Sequence, residues 1–129
     1  MNQQPRKGIS RLGLDAAFEL EESYKSNLLL QAALLREQGH EGAATRFAEA
    51  AAIEERLGET CVKQGLKEKS FVHRFSAASC WAQAGDFYHA IQLCDELLTD
   101  TGLSERLRRR IQDYADTLRT RRSQCMRSW

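Results

Sequence analysis

The chain has 129 residues, 42% of them hydrophobic and 29% charged, with a formal net charge of +1; this excludes a chain disordered throughout and fits one globular domain. No segment approaches the roughly 18 apolar residues of a membrane-spanning helix, and Met1 to Leu12 is basic without an apolar core to follow, so no secretory leader is expected. Cys61, Cys80, Cys94 and Cys125 stand 19, 14 and 31 residues apart, which matches no metal or redox spacing and points to a reducing, cytoplasmic setting.

Residues 1–12 form a polar, basic arm expected to be flexible, and contain the single proline, Pro5. Residues 13–129 are expected to form one all-α domain of about five helices. Asp15 is the predicted cap of a first helix running to about Gln38, with Phe18, Tyr24, Leu28, Ala32 and Leu35 facing inward. Gly39 ends it. A second helix, about Glu41 to Gln64, carries Ala44, Phe47, Ala48, Ala51 and Ala52 on one stripe, then Cys61 and Val62. Gly58 lies inside it and costs roughly 1 kcal/mol relative to alanine, which leaves a kink, a break or a straight run open there. Gly65 closes this hairpin of residues 14–65.

The second predicted hairpin spans residues 67–100. Its first helix, about Glu68 to Ala84, has Phe71, Arg74, Ala78 and Trp81 on one face and Val72, Phe75, Ser79 and Ala82 on the next. Gly85 and Asp86 end that helix and cap the following one, which buries Phe87, Ala90, Ile91, Cys94, Leu97 and Leu98 and is closed by Gly102. A capping helix over 103–122 repeats Leu107, Ile111, Tyr114 and Leu118 at four-three-four spacing, and 123–129 form a tail. No segment alternates with period two, so no sheet is expected. Connections of two to five residues predict antiparallel neighbours.

One phrase occurs twice. Setting Gly39 on Gly85 places Ala32 on Ala78, Leu35 on Trp81 and Ala44 on Ala90, an offset of 46 residues. A duplicated helix–Gly–helix unit is the signature of stacked helical repeats. Over Ala77 to Leu98 the chain resembles a tetratricopeptide-type repeat: Ala78, Trp81, Gly85-Asp86-Phe87, Ala90 and Ile91 match its small, aromatic, turn and second-helix positions. The earlier copy agrees at Ala32, Leu35, Gly39 and Ala44 but has His40 and Glu41 for the Asp-aromatic pair. The period exceeds the family's usual 34, and the closing proline is missing.

The resemblance implies a short right-handed superhelix without catalytic function. The inner faces of its first helices would line a groove for a peptide or a partner's helix. Carried over by position, the lining is Ser26, Leu29, Ala33, Arg36 and Glu37, with Val72, Phe75, Ser79, Ala82 and Gln83. Leu29, Val72 and Phe75 also lie off the stripes assigned to packing within each hairpin, so they need other burial. A neighbouring hairpin supplies it as readily as a partner does. Phe75→Asp is expected to spare folding if Phe75 serves a partner.

Chemistry-bearing patterns are weak. Glu37-x-x-His40 and Asp86-x-x-His89 have the spacing of paired ligands on one helix face, but each abuts a helix-ending glycine. Asp86 is therefore read as a cap and both histidines as exposed. Glycine-rich phosphate loops and nucleophile elbows are absent. Cys80 and Cys94 read as core packing, and His73 has no carboxylate nearby in sequence. No enzyme activity, metal or cofactor is expected.

Charge is uneven. Residues 1–102 hold 11 basic and 15 acidic side chains, a net of −4, whereas 103–129 hold 8 arginines against three acids, a net of +5. Arg106, Arg108, Arg109, Arg110, Arg119, Arg121 and Arg122 therefore offer a basic face for nucleic acid or an acidic protein. Ordinary roles compete for them: Glu105–Arg109–Asp113 has i,i+4 spacing, and Arg119 to Arg122 would offset the helix dipole. Apolar residues on the first helix, such as Leu29 and Leu30, also offer a homodimer surface.

Overall fold

A computed structural model describes residues 16–127; Asp15, the arm and the last two residues lie outside them. The described chain is all-helical: α1 Ala16–Glu37, α2 Gly42–Lys63, α3 Lys67–Gln83, α4 Phe87–Leu98 and α5 Glu105–Arg127. The last helix thus continues past Arg122 into the expected tail, because nothing between Arg122 and Arg127 breaks a helix.

Three helices end by one device. Gly39, Gly65 and Gly85 have φ of 69°, 76° and 92°, where a side chain would clash with the backbone. Each glycine N–H bonds the carbonyl three residues back, and the next N–H bonds the carbonyl five back: His40 to Leu35 at 2.8 Å, Leu66 to Cys61 at 2.8 Å and Asp86 to Trp81 at 2.9 Å. These paired bonds are the Schellman termination. α4 ends differently. Gly102 does not close it; the Arg108 guanidinium does, donating to the Leu98 and Asp100 carbonyls at 2.7 and 2.8 Å. Gly102 lies in the following loop, its N–H bonded to Asp100 Oδ1 at 2.8 Å. Asp86 caps α4 by accepting from the His89 N–H at 3.0 Å, and Ser104 caps α5 by accepting from Leu107 N–H at 3.2 Å.

Each helix packs on its neighbours in sequence, and side chains join alternate helices. Arg36 reaches Gln83 across α1 and α3, Phe75 meets Tyr114 across α3 and α5, and Glu55 meets His89 across α2 and α4. The odd-numbered helices therefore form one layer and the even-numbered helices the other. One core lies among α1, α2 and α3, around Phe18, Leu28, Ile53, Leu57 and Cys61. A second lies among α3, α4 and α5, around Phe71, Ile91, Leu97, Ile111 and Leu118. Trp81 packs against both.

Several expectations need correction. Ala90 is fully buried, but Ala44 is exposed, because α2 turns its Ala43–Phe47–Ala50 side inward. The second copy of the repeat lacks its counterpart there. Tyr24 and Val62 are also exposed, at 57% and 58%. α2 runs unbroken through Gly58, whose bare Cα is where α3 crosses: a Cβ there would lie 2.8 Å from Arg74 Cγ. His89 is half-buried and stacked on Trp81, with ring centroids 4.2 Å apart.

Candidate partner-binding face

α3 and α5 diverge enough on the odd-helix side to leave a cleft of about 240 Å3. It is lined by Phe71, Val72 and Leu107 and rimmed by Glu68, Ser104, Arg106 and Arg110. Val72 is 55% exposed there. One turn further along, Phe75 meets Tyr114 edge-to-face at 5.5 Å, and the Arg110 guanidinium stands 5.8 Å from the centre of the Phe75 ring. Burial pushes the Tyr114 phenol above its ordinary range, partly opposed by a hydrogen bond with Ser79. Arg121, two turns from Tyr114 on the same side of α5, also interacts with that phenol.

The remaining groove positions lie toward α1. Arg36 Nη2 donates to Gln83 Oε1 at 2.9 Å, and its guanidinium sits 4.6 Å from the centre of the Phe47 ring. Leu29 is half-buried against the first core, whereas Ala33 and Glu37 are exposed. Ala82 is buried. The structure thus brings Val72, Phe75 and Ser79 together with α5, and Arg36 together with Gln83.

The seven arginines of α5 do not share one face. Arg108 is committed to the end of α4. Arg119 is bonded to Asp95 and also pairs with Asp116. Arg122 lines, with Arg119 and Tyr88, an open depression between α4 and α5, and Arg109 is exposed. Arg106 and Arg110 remain beside the α3–α5 cleft, and Arg121 stands about three turns further along α5, near Tyr114. Among the described residues none of these three has an ion-pair partner.

Two polar clusters escaped the reading of the sequence. Glu54, 3% exposed, receives Lys25 Nζ at 3.3 Å and His73 Nδ1 at 2.7 Å, while His73 Nε2 lies 3.8 Å from Glu22. His73 also meets Phe18 edge-on. This network ties α1, α2 and α3 together. Its one signal in the sequence is that Glu54 falls on the three-four stripe running through Phe47, Ala50, Leu57 and Cys61. In the second cluster Glu55 Oε2 accepts from Trp81 Nε1 at 2.6 Å and pairs with His89 Nε2 at 3.0 Å.

Cys80 and Cys94 belong to different cores. Burial pushes both thiols up to about 11, so they are protonated at neutral pH and poor nucleophiles. Among the described residues no group of three or more His, Cys, Asp or Glu is disposed to hold a metal ion, and no helix is long and apolar enough to cross a membrane. The chain matches no protein-family model, no curated protein and no solved structure.

Proposed function

We propose that this chain is a non-catalytic interaction module, a degenerate tetratricopeptide-like stack, whose α3–α5 cleft holds a peptide segment or helix of a partner protein. The observation that carries the reading is Val72, exposed beside Phe71 and Leu107 in a cleft between two helices whose rim holds Glu68 and two arginines without ion-pair partners. Such a surface selects a segment with a medium-sized apolar anchor and acidic residues beside it. Val72, Phe71 and Leu107 receive the anchor. Arg106 and Arg110 face the acids, and Arg121 extends the positive edge. The reading rests on the second hairpin, since Ala44 no longer supports the first as its copy.

Selection from a random peptide display library tests this. Enriched sequences are expected to pair an apolar residue with at least two acids and to bind less tightly as salt rises. Val72→Asp and Arg110→Glu are each expected to weaken binding at least tenfold, about 1.4 kcal/mol. Peptides that bind both variants as well as the parent would refute the assignment. The division of the arginines weighs against the alternative, a nucleic-acid surface on α5. Titration with single-stranded RNA and duplex DNA at two salt concentrations examines it: binding with a steep salt slope would restore it.

A further inference from the structure

The outward face of α1 carries an apolar stripe that no other described residue covers. Leu20, Tyr24, Leu30 and Leu34 are 71%, 57%, 71% and 56% exposed. Four of the seven large hydrophobic side chains most exposed among the described residues thus stand on this one helix. Its main helix contact is α2, on the opposite side. The stripe is also uncharged. Between Leu20 and Leu34 the ionic residues turn inward: Glu21 to Arg56, Glu22 toward His73 and Lys25 to Glu54. Terminal helices of helical stacks ordinarily present a polar outer face to water. α5 follows that rule, and α1 does not.

The residues are placed symmetrically. Asn27 lies at the centre of the stripe. Leu20 and Leu34 stand seven residues to either side of it, Tyr24 and Leu30 three, and Ser23 and Gln31 four. A two-fold interface requires that where one residue meets a second, the second meets the first. An antiparallel pair of α1 helices centred on Asn27 does this, setting Leu20 on the partner's Leu34 and Tyr24 on the partner's Leu30. The uncharged spacing of three and four is the seam spacing of paired helices, and a central Asn fixes register in such seams. The helix dipole selects the direction, since antiparallel pairing sets opposite dipole ends side by side. Parallel pairing sets like against like.

We infer that the occupant of this face is a second copy of the chain, in an antiparallel α1–α1 homodimer with Asn27 on the two-fold axis. The four side chains expose roughly 500 Å2 per copy, within the range of the largest apolar patch on a typical monomer, which is often functional. Pairing two copies buries about 1,000 Å2, at the lower edge of specific interfaces. An interface of that size is small, and the dimer is expected to be weak. It leaves the α3–α5 cleft open in each copy, because that cleft lies at the other end of the odd-helix layer.

Sedimentation equilibrium of the full chain between about 1 and 500 μM is the test. The parent is expected to pass from monomer to dimer. The double variant Leu30→Lys, Leu34→Lys is expected to stay monomeric with unchanged far-UV circular dichroism, since both side chains are exposed. Val72→Asp is expected to dimerise like the parent. In a Cys125→Ser background, Leu20→Cys mixed with Leu34→Cys is expected to give a disulfide-linked heterodimer under mild oxidation, and Leu20→Cys alone none. A parent that remains monomeric throughout, or a double variant that still dimerises, overturns the proposal. Self-linking of Leu20→Cys overturns the antiparallel arrangement.

Discussion

Gly39 and Gly85 terminate their helices with the same pair of backbone bonds, yet the hairpins they create are packed by different means. After Gly85, Asp86 caps α4, His89 stacks on Trp81, and Ala90 is sealed in the core. After Gly39, His40 Nδ1 takes the Gly42 N–H at 2.9 Å and Ala44 faces water. The first hairpin is instead tied to α3 by the buried Glu54–His73–Lys25 cluster. A glycine turn is local chemistry, set by φ and two hydrogen bonds. The rotation of the following helix about its axis is set by what it must bury. Similar turns therefore do not imply similar packing.

The sharpest way to break this comparison is a matched pair of substitutions. Ala90→Asp puts an unpartnered carboxylate into a dry core and is expected to unfold the chain, a loss of more than about 4 kcal/mol. Ala44→Asp, at the equivalent repeat position, is expected to shift stability by less than about 0.5 kcal/mol. Denaturant titration distinguishes them, and equal losses would restore the two hairpins as true copies.

Next in size is the ionic tie of the first hairpin. Glu54→Ala leaves Lys25 and His73 without their buried partner and is expected to cost about 3 kcal/mol, measured by urea unfolding. The two turns themselves should respond alike. Gly39→Ala and Gly85→Ala each force alanine into the left-handed region, where the strain is about 1 kcal/mol, and neither meets a neighbour within 4 Å. Losses differing by more than a factor of two would show that the turns are not equivalent.

Which features the sequence disclosed follows the same division. The five helices, their short connections and the stops at Gly39, Gly65 and Gly85 could be read from spacing and turn chemistry. So could the inward stripe of α5 and the Asp86 cap. What could not be read depended on helix rotation. Ala44, Tyr24 and Val62 lie within amphipathic patterns wide enough to admit two orientations, and packing of α1 on α2 and of α2 on α3 chose the other one. Glu54 was hidden because a carboxylate on an apolar stripe is ordinarily placed at its edge, while its partners lie 29 and 19 residues away. Of the groove positions, Val72 stays open. Phe75 is held against Tyr114, so Phe75→Asp is now expected to damage folding as well as binding and is a poor probe.

The effect that is smallest at neutral pH, and that grows only at high pH, concerns the two cores. An unfolded chain ionises its thiols near about 8.5, whereas burial pushes Cys80 and Cys94 up to about 11. Their contribution to stability is whole below the lower value and lost as pH rises through the upper one. The unfolding free energy is expected to fall over that window, and a Cys80→Ala, Cys94→Ala variant to fall less. Identical alkaline profiles would show that neither core excludes water from its thiol.

The most direct test of the binding assignment is to map, by nuclear magnetic resonance, which amides shift when a peptide enriched by display is titrated in. The account predicts perturbations confined to Val72, Phe75, Leu107, Arg110, Tyr114 and their immediate neighbours, absent in Val72→Asp. Perturbations centred on Tyr88 and Arg122 between α4 and α5, or on the outer face of α1, would contradict it.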